Sequence, residues 1–89
     1  MKLACITGTV TATVKDAQMV GATLLICDIT DGAGRVLSSA QVATDTVGAG
    51  VGDIVLITTG SAARMAAGSA GSPVDATIIA VVDKITLAN

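Results

Sequence analysis

The 89-residue sequence contains no His, Phe, Tyr, Trp or Glu, and only one Pro, Pro73. Each absence removes a class of function. Without His, neither a Ser-His-Asp nor a Cys-His nucleophilic site can be built, and the usual general base near neutral pH is missing. Without aromatics there is nothing for nucleic-acid bases to stack on, and no basic run is present to follow a phosphate backbone. Charge is sparse, with five Lys and Arg against seven Asp and a net charge of −2. The longest uninterrupted apolar run, Ile78 to Val82, falls far short of the roughly 20 residues a membrane-spanning helix needs. Met1-Lys2-Leu3-Ala4 looks superficially like the start of a signal peptide, but Thr7, Thr9, Thr11 and Thr13 interrupt the apolar run such a peptide requires. Two cysteines, Cys5 and Cys27, make at most one bridge and supply no zinc set within one chain. Both are expected to be free thiols. No cofactor or metal site is expected, and neither nucleic acid nor membrane is an expected partner.

Hydrophobic residues make up 52% of the chain. They are mostly Ala, Val, Ile and Leu, with three Met and two Cys, accompanied by twelve Thr. Side chains branched at Cβ lose little freedom on a pleated surface, so this mix favours strands over a helical bundle. Ala4 to Val14 alternates, with Ala4, Ile6, Gly8, Val10, Ala12 and Val14 on one side and Cys5 and four Thr on the other. Period two predicts a strand with one buried face. Thr23–Ile29, Asp53–Thr59 and Ala76–Leu87 also read as strands, and Val36–Thr44 as a weaker one. Asp31-Gly32-Ala33-Gly34 reads as a turn. Gly60 to Gly68 reads as a helix of two turns at most, with Ser61 able to cap its start and Gly68 to end it. The fold class is therefore all-β, in a single domain over 1–89. Five strands would curl into a barrel to remove exposed edges.

Several of these strands are apolar on both faces, which requires cover on both faces. One short helix cannot cover the outside of three of them. A chain this short buries only about 60% of its unfolded surface, so its own core is marginal. Neighbouring copies of the same chain are the economical cover.

Motifs for chemistry are thin. Asp28 and Asp31 stand three apart, a weak cation-site pattern that reads better as a strand end and turn. Gly48-Ala49-Gly50-Val51-Gly52 fails as a dinucleotide fingerprint, because G-x-G-x-x-G would need Gly where Asp53 stands. The loop is either a turn requiring positive φ at Gly48, Gly50 or both, or a segment packed closely on another chain. Arg64 and Asp75 are either solvated or paired, with each other or across subunits.

The segments Gly8-Thr9-Val10, Val47-Gly48-Ala49-Gly50-Val51-Gly52-Asp53, Gly60-Ser61-Ala62-Ala63-Arg64 and Pro73-Val74-Asp75-Ala76 together resemble the pentameric vertex proteins of bacterial microcompartments. The resemblance extends over nearly the whole chain. It departs at Thr11, Thr23 and Ala62, where many relatives carry Val, Lys and Ser. It implies a five-stranded OB-like barrel with one short helix, assembled as a cyclic homo-pentamer. It implies a non-enzymatic role in the shell, in the bacterial cytoplasm, with hexameric shell proteins as partners. Gly48, Ala49, Gly50, Gly52, Ser61, Arg64, Pro73 and Asp75 are the residues expected at subunit interfaces or in structural loops. The competing reading is an OB-like module that binds a polymer or ligand. Such modules usually work through aromatic and basic residues on the barrel face, and aromatics are absent here.

Overall fold

The computed structural model describes residues 1–13, 15, 17–19, 21–66 and 74–88. Five strands are present: β1 (Lys2–Val10), β2 (Leu24–Thr30), β3 (Val36–Asp45), β4 (Ile54–Thr59) and β5 (Ala76–Val81). One helix, α1 (Ser61–Ala66), lies between β4 and β5, and a short 3-10 turn spans Ala17–Met19. The strands close into a barrel in the order β1-β2-β3-β5-β4. All pairs are antiparallel except β3 with β5, which run parallel and meet at only two positions, Thr44 with Thr77 and Asp45 with Ile78. This is the OB-like barrel that the residue pattern and the resemblance predict.

The core is filled with small and branched side chains. Ile6, Ile57, Ile78, Val55 and Cys27 are its largest fully buried members, joined by Thr77. Alanines complete it, with Ala4 and Ala43 at 0% and 1% exposure. The β2–β3 turn forms as its sequence predicts. Asp31 Oδ1 accepts the N–H groups of Ala33 and Arg35, both at 2.9 Å, and Gly34 takes φ +90°.

Strand ends differ from the sequence reading for a physical reason. β1 stops at Val10, which pairs with Leu24, the first residue of β2, so nothing remains for Thr11 onward to pair with. Val14, the expected end, lies outside the described residues. β5 stops at Val81, and the Val82 N–H then donates to the carbonyl of Ile54, where β4 begins. Residues 83–87, expected to continue the strand, lie beyond the start of β4 and form no strand.

The alternation of β1 also does not run through. Leu3 to Ile6 pair in step with Thr30 to Cys27, but Gly8 pairs with Ile26, leaving Thr7 as an extra residue. Such a bulge changes which face the following residues present. Ile6 points inward opposite Cys27, whereas Gly8 and Val10 share the outer face with Ile26 and Leu24. A second bulge falls in β5, where Leu56 pairs with Ala80 and Ile57 with Ile78, setting Ile79 out of step. Leu3, Leu24, Ile26, Ile54, Leu56 and Ile79 all end up half-buried, which is the two-sided wall expected from the composition.

Adjacent Ile78 and Ile79 therefore have different roles: Ile78 is 0% exposed in the core and Ile79 is half-buried at the bulge. Burying a carboxylate at 78 costs several kcal/mol, against about 5–15 kcal/mol for a whole domain. Ile78→Asp is expected to abolish the cooperative thermal transition seen by circular dichroism. Ile79→Asp is expected to keep that transition while shifting elution on a sizing column to smaller species. Equal melting and elution for the two variants would contradict this assignment.

Candidate functional site

The glycine loop between β3 and β4 is held by two carboxylates. Asp45, the last residue of β3, accepts three backbone N–H groups: Val47 at 3.0 Å and Gly48 at 3.2 Å on Oδ1, and Ala49 at 2.9 Å on Oδ2. Asp is short enough to bond to its own chain two to four residues ahead, so the loop curls around its side chain. Asp53 closes the other end. Its Oδ2 accepts the Gly50 N–H at 2.8 Å, and its own N–H donates to the Gly50 carbonyl at 3.0 Å. The Gly52 N–H donates to the Ile6 carbonyl and the Ile6 N–H to the Asp53 carbonyl, both at 2.9 Å, which joins the loop to β1. The Thr46 hydroxyl adds a 2.7 Å bond to the Ile78 carbonyl.

Within this frame the glycines are not equivalent. Gly48 and Gly52 take φ +79° and +93°, where a side chain is strained. Gly50 has no positive φ, and the nearest heavy atom to a Cβ built there is Asp53 Oδ2 at 3.8 Å. Within the protomer, therefore, Gly48 meets the conformational expectation and Gly50 does not require glycine. Ala49 packs against the core. Val47 and Val51 point outward, 43% and 66% exposed.

Ser61, Arg64 and Asp75 lie elsewhere. β4 separates them from the glycine loop, and its six residues span about 20 Å at the usual rise per residue. Ser61 is the exposed first residue of α1, so Gly60, at φ +67°, holds the preceding position where the sequence reading placed a capping serine. Arg64 is half-buried and Asp75 exposed. Backbone ties this end together, the Gly60 N–H donating to the Asp75 carbonyl at 2.9 Å. Below it, fully buried Thr77 donates its hydroxyl to the Ala63 carbonyl at 2.7 Å and fastens α1 to β5. Pro73 lies outside the described residues.

The expected residues thus fall in two regions, the glycine loop and the α1 end of the barrel, and the side chains that hold them, Asp45, Asp53 and Thr77, were not among them. A signal for Asp45 is present, since an Asp followed by Thr-Val-Gly is a local backbone-capping pattern. Thr77 carries none, because its partner lies 14 residues away.

Asp28 is occupied in a similar way. Asp28 Oδ1 accepts the Ala40 N–H at 3.2 Å, where Ala40 takes φ +60°. Among the described residues no group of three His, Cys, Asp or Glu could hold a metal ion. Both cysteines are free, Cys5 half-buried and Cys27 in the core. Burial pushes the Cys27 thiol above its usual range, with smaller contributions from the Asp28 carboxylate and Cys5. The chemistry of this arrangement is hydrogen bonding that fixes backbone.

Such a protomer is a small OB-like barrel whose glycine loop is tied down by hydrogen bonds and whose outer wall carries half-buried apolar side chains. The chain belongs to the family described as "Ethanolamine utilisation protein EutN/carboxysome", which matches residues 1–83. It is 42% identical to the carboxysome shell vertex protein CcmL of Gloeobacter violaceus, across 100% of this chain and 89% of that protein. It is 40% identical to the bacterial microcompartment shell vertex protein EutN of Salmonella typhimurium, across 96% of this chain and 86% of the relative. Among solved structures, the GrpN pentameric microcompartment shell protein from Rhodospirillum rubrum superposes with a TM-score of 0.88 at 36% identity and full coverage of both chains.

Two measurements test this geometry. Asp45→Ala leaves three N–H groups without their acceptor and is expected to cost about 1–3 kcal/mol. Gly48→Ala is expected to cost about 1 kcal/mol through its positive φ, and Gly50→Ala to be near neutral. At roughly 4–8 °C of Tm per kcal/mol for a chain this size, scanning calorimetry separates the three. Thiol labelling of folded protein at pH 8 is expected to spare Cys27, and labelling of unfolded, unreduced protein to find both thiols.

Proposed function

We propose that five copies of this chain close into a ring that caps a five-fold vertex of a bacterial microcompartment shell. The observation that carries the reading is its full-length match to a pentameric shell protein. The vertex proteins among its relatives give the same direction from sequence. The role is geometric. A sheet of six-fold tiles is flat and closes into a polyhedron only where five-fold units replace six-fold ones. Its partners in the shell are then hexameric tile proteins, and its place is the bacterial cytoplasm, with neither nucleic acid nor membrane required. No helix of the described residues is long and apolar enough to cross a membrane.

A structural task suits a chain in which Asp28, Asp31, Asp45 and Asp53 are each bonded to its own backbone. In this reading the loop of Gly48, Ala49, Gly50 and Gly52, and the end formed by Ser61, Arg64 and Asp75, are the fixed shapes a ring needs at its subunit contacts. Pro73 belongs with the second group by its place in the sequence.

Native mass spectrometry is expected to give about 43 kDa, five times the 8.6 kDa protomer. Co-expression with hexameric tile proteins is expected to give closed polyhedra, and omission of this chain open sheets or tubes. A stable monomer or dimer at micromolar concentration would sink the reading, because neither can fill a five-fold corner.

A further inference from the structure

A cyclic ring is built from heterologous contacts, so one surface of a protomer meets a different surface of the next. The barrel offers two apolar surfaces on different elements. The first is the outer face of β1, β2 and β3. Register places Gly8, Ile26 and Val42 in one row across the three strands, and Val10 and Leu24 side by side in the next. Ile26, Val10 and Leu24 are half-buried and Val42 is 41% exposed. Nothing lies within 4 Å of the point where a Gly8 Cβ would stand, so the face is open there. Leu24 also stands between two clefts, about 220 Å³ on the side of Val10 and about 170 Å³ on the side of Val42. The face exists because the Thr7 bulge turns Gly8 and Val10 outward.

The second surface is the glycine loop, where Val47 and Val51 are 43% and 66% exposed. Val47 and Val51 project from the loop that Asp45 and Asp53 hold rigid. A branched side chain on a fixed backbone loses little freedom on contact, so it binds with small ordering cost.

We propose that in the ring the Val47 and Val51 edge of one protomer's glycine loop seats on the β1–β2–β3 outer face of the next, beside Leu24 and over the open surface at Gly8. The occupant is a second copy of this chain. This rests on the five-copy reading, since only a ring obliges these two unlike surfaces to meet. It assigns the loop a contact, and it assigns β2 the cover that its two apolar faces require.

Disulfide trapping tests the contact. Val42→Cys and Val51→Cys are combined in a Cys5→Ser background, with Cys27 left in the core. Mild oxidation of the assembled protein is expected to give a non-reducing ladder from two to five linked chains. Val42→Cys and Val51→Cys chains mixed during assembly are expected to give linked species that neither gives alone. Val42→Cys combined with Met65→Cys, 76% exposed in the native chain, in the same background is the control and is expected to stay unlinked. In parallel, Val51→Asp is expected to keep its circular dichroism spectrum while losing the ring on a sizing column. A ring of normal mass without a ladder overturns the contact and leaves the five-copy reading standing. So does linkage of Val51→Cys alone, an equal ladder from the Val42→Cys and Met65→Cys pair, or an intact ring in Val51→Asp. If tile proteins are required before the ladder forms, the face belongs to the tile contact and the proposal is wrong. Absence of any ring from the native chain defeats the five-copy reading itself.

Discussion

The barrel has nothing larger than isoleucine to fill its interior. Interiors pack at the density of organic crystals, so a wall lined by Ala, Val and Ile must draw in closely or leave voids. Five strands can do so only if they bend, and bending is supplied by inserted residues at Thr7 and Ile79 and by the shifts in the β2–β3 ladder. The ends of so narrow a barrel must be stoppered by small groups as well. Ala49 packs on the core from the glycine loop, and Ala63, on α1, is fully buried. Small core, bulged strands and tightly held loops thus follow from the same absence of aromatic side chains.

The bulge at Thr7 shows where the residues stop being readable. Alternation from Ala4 to Val10 is present in the sequence, and Ala4 and Ile6 are indeed buried. No residue type marks the extra position, since Thr fits an exposed strand site and a bulge equally well. The register of β2 decides the matter, and that pairing is set by long-range closure. Ile78 and Ile79 are alike in this respect: adjacency says they differ in role, and only the ladder with β4 says which one is core. By contrast the Asp31 turn and the irregular glycine segment were legible, because each depends on chemistry within a few residues; Gly68, expected to end α1, lies outside the described residues.

The candidate site divides along the same line. Gly48 is recognisable from the loop sequence because its need is local. The separation of the loop from Ser61, Arg64 and Asp75 by the length of β4 is not, because nearness in sequence says nothing about opposite ends of a strand. Restriction of the acids to Asp has a physical counterpart. A carboxylate one methylene from the backbone reaches N–H groups two to four residues ahead, and Asp31 and Asp45 do so repeatedly. Glu has more rotamers to freeze for the same bonds.

Fixed loops and an apolar outer wall bear on how the chain folds as well as on what it does. A lone protomer leaves Val42, Val47 and Val51 in water and keeps several outer-wall side chains only half covered. Anything that binds the folded form and not the unfolded one stabilises it by mass action, and the neighbouring copy is such a ligand. Barrel stability and ring closure then rise together with protein concentration. A vertex unit gains from that coupling: a protomer that misses its ring is held less firmly folded, and the same apolar wall that makes it marginal alone is removed from water when the corner closes.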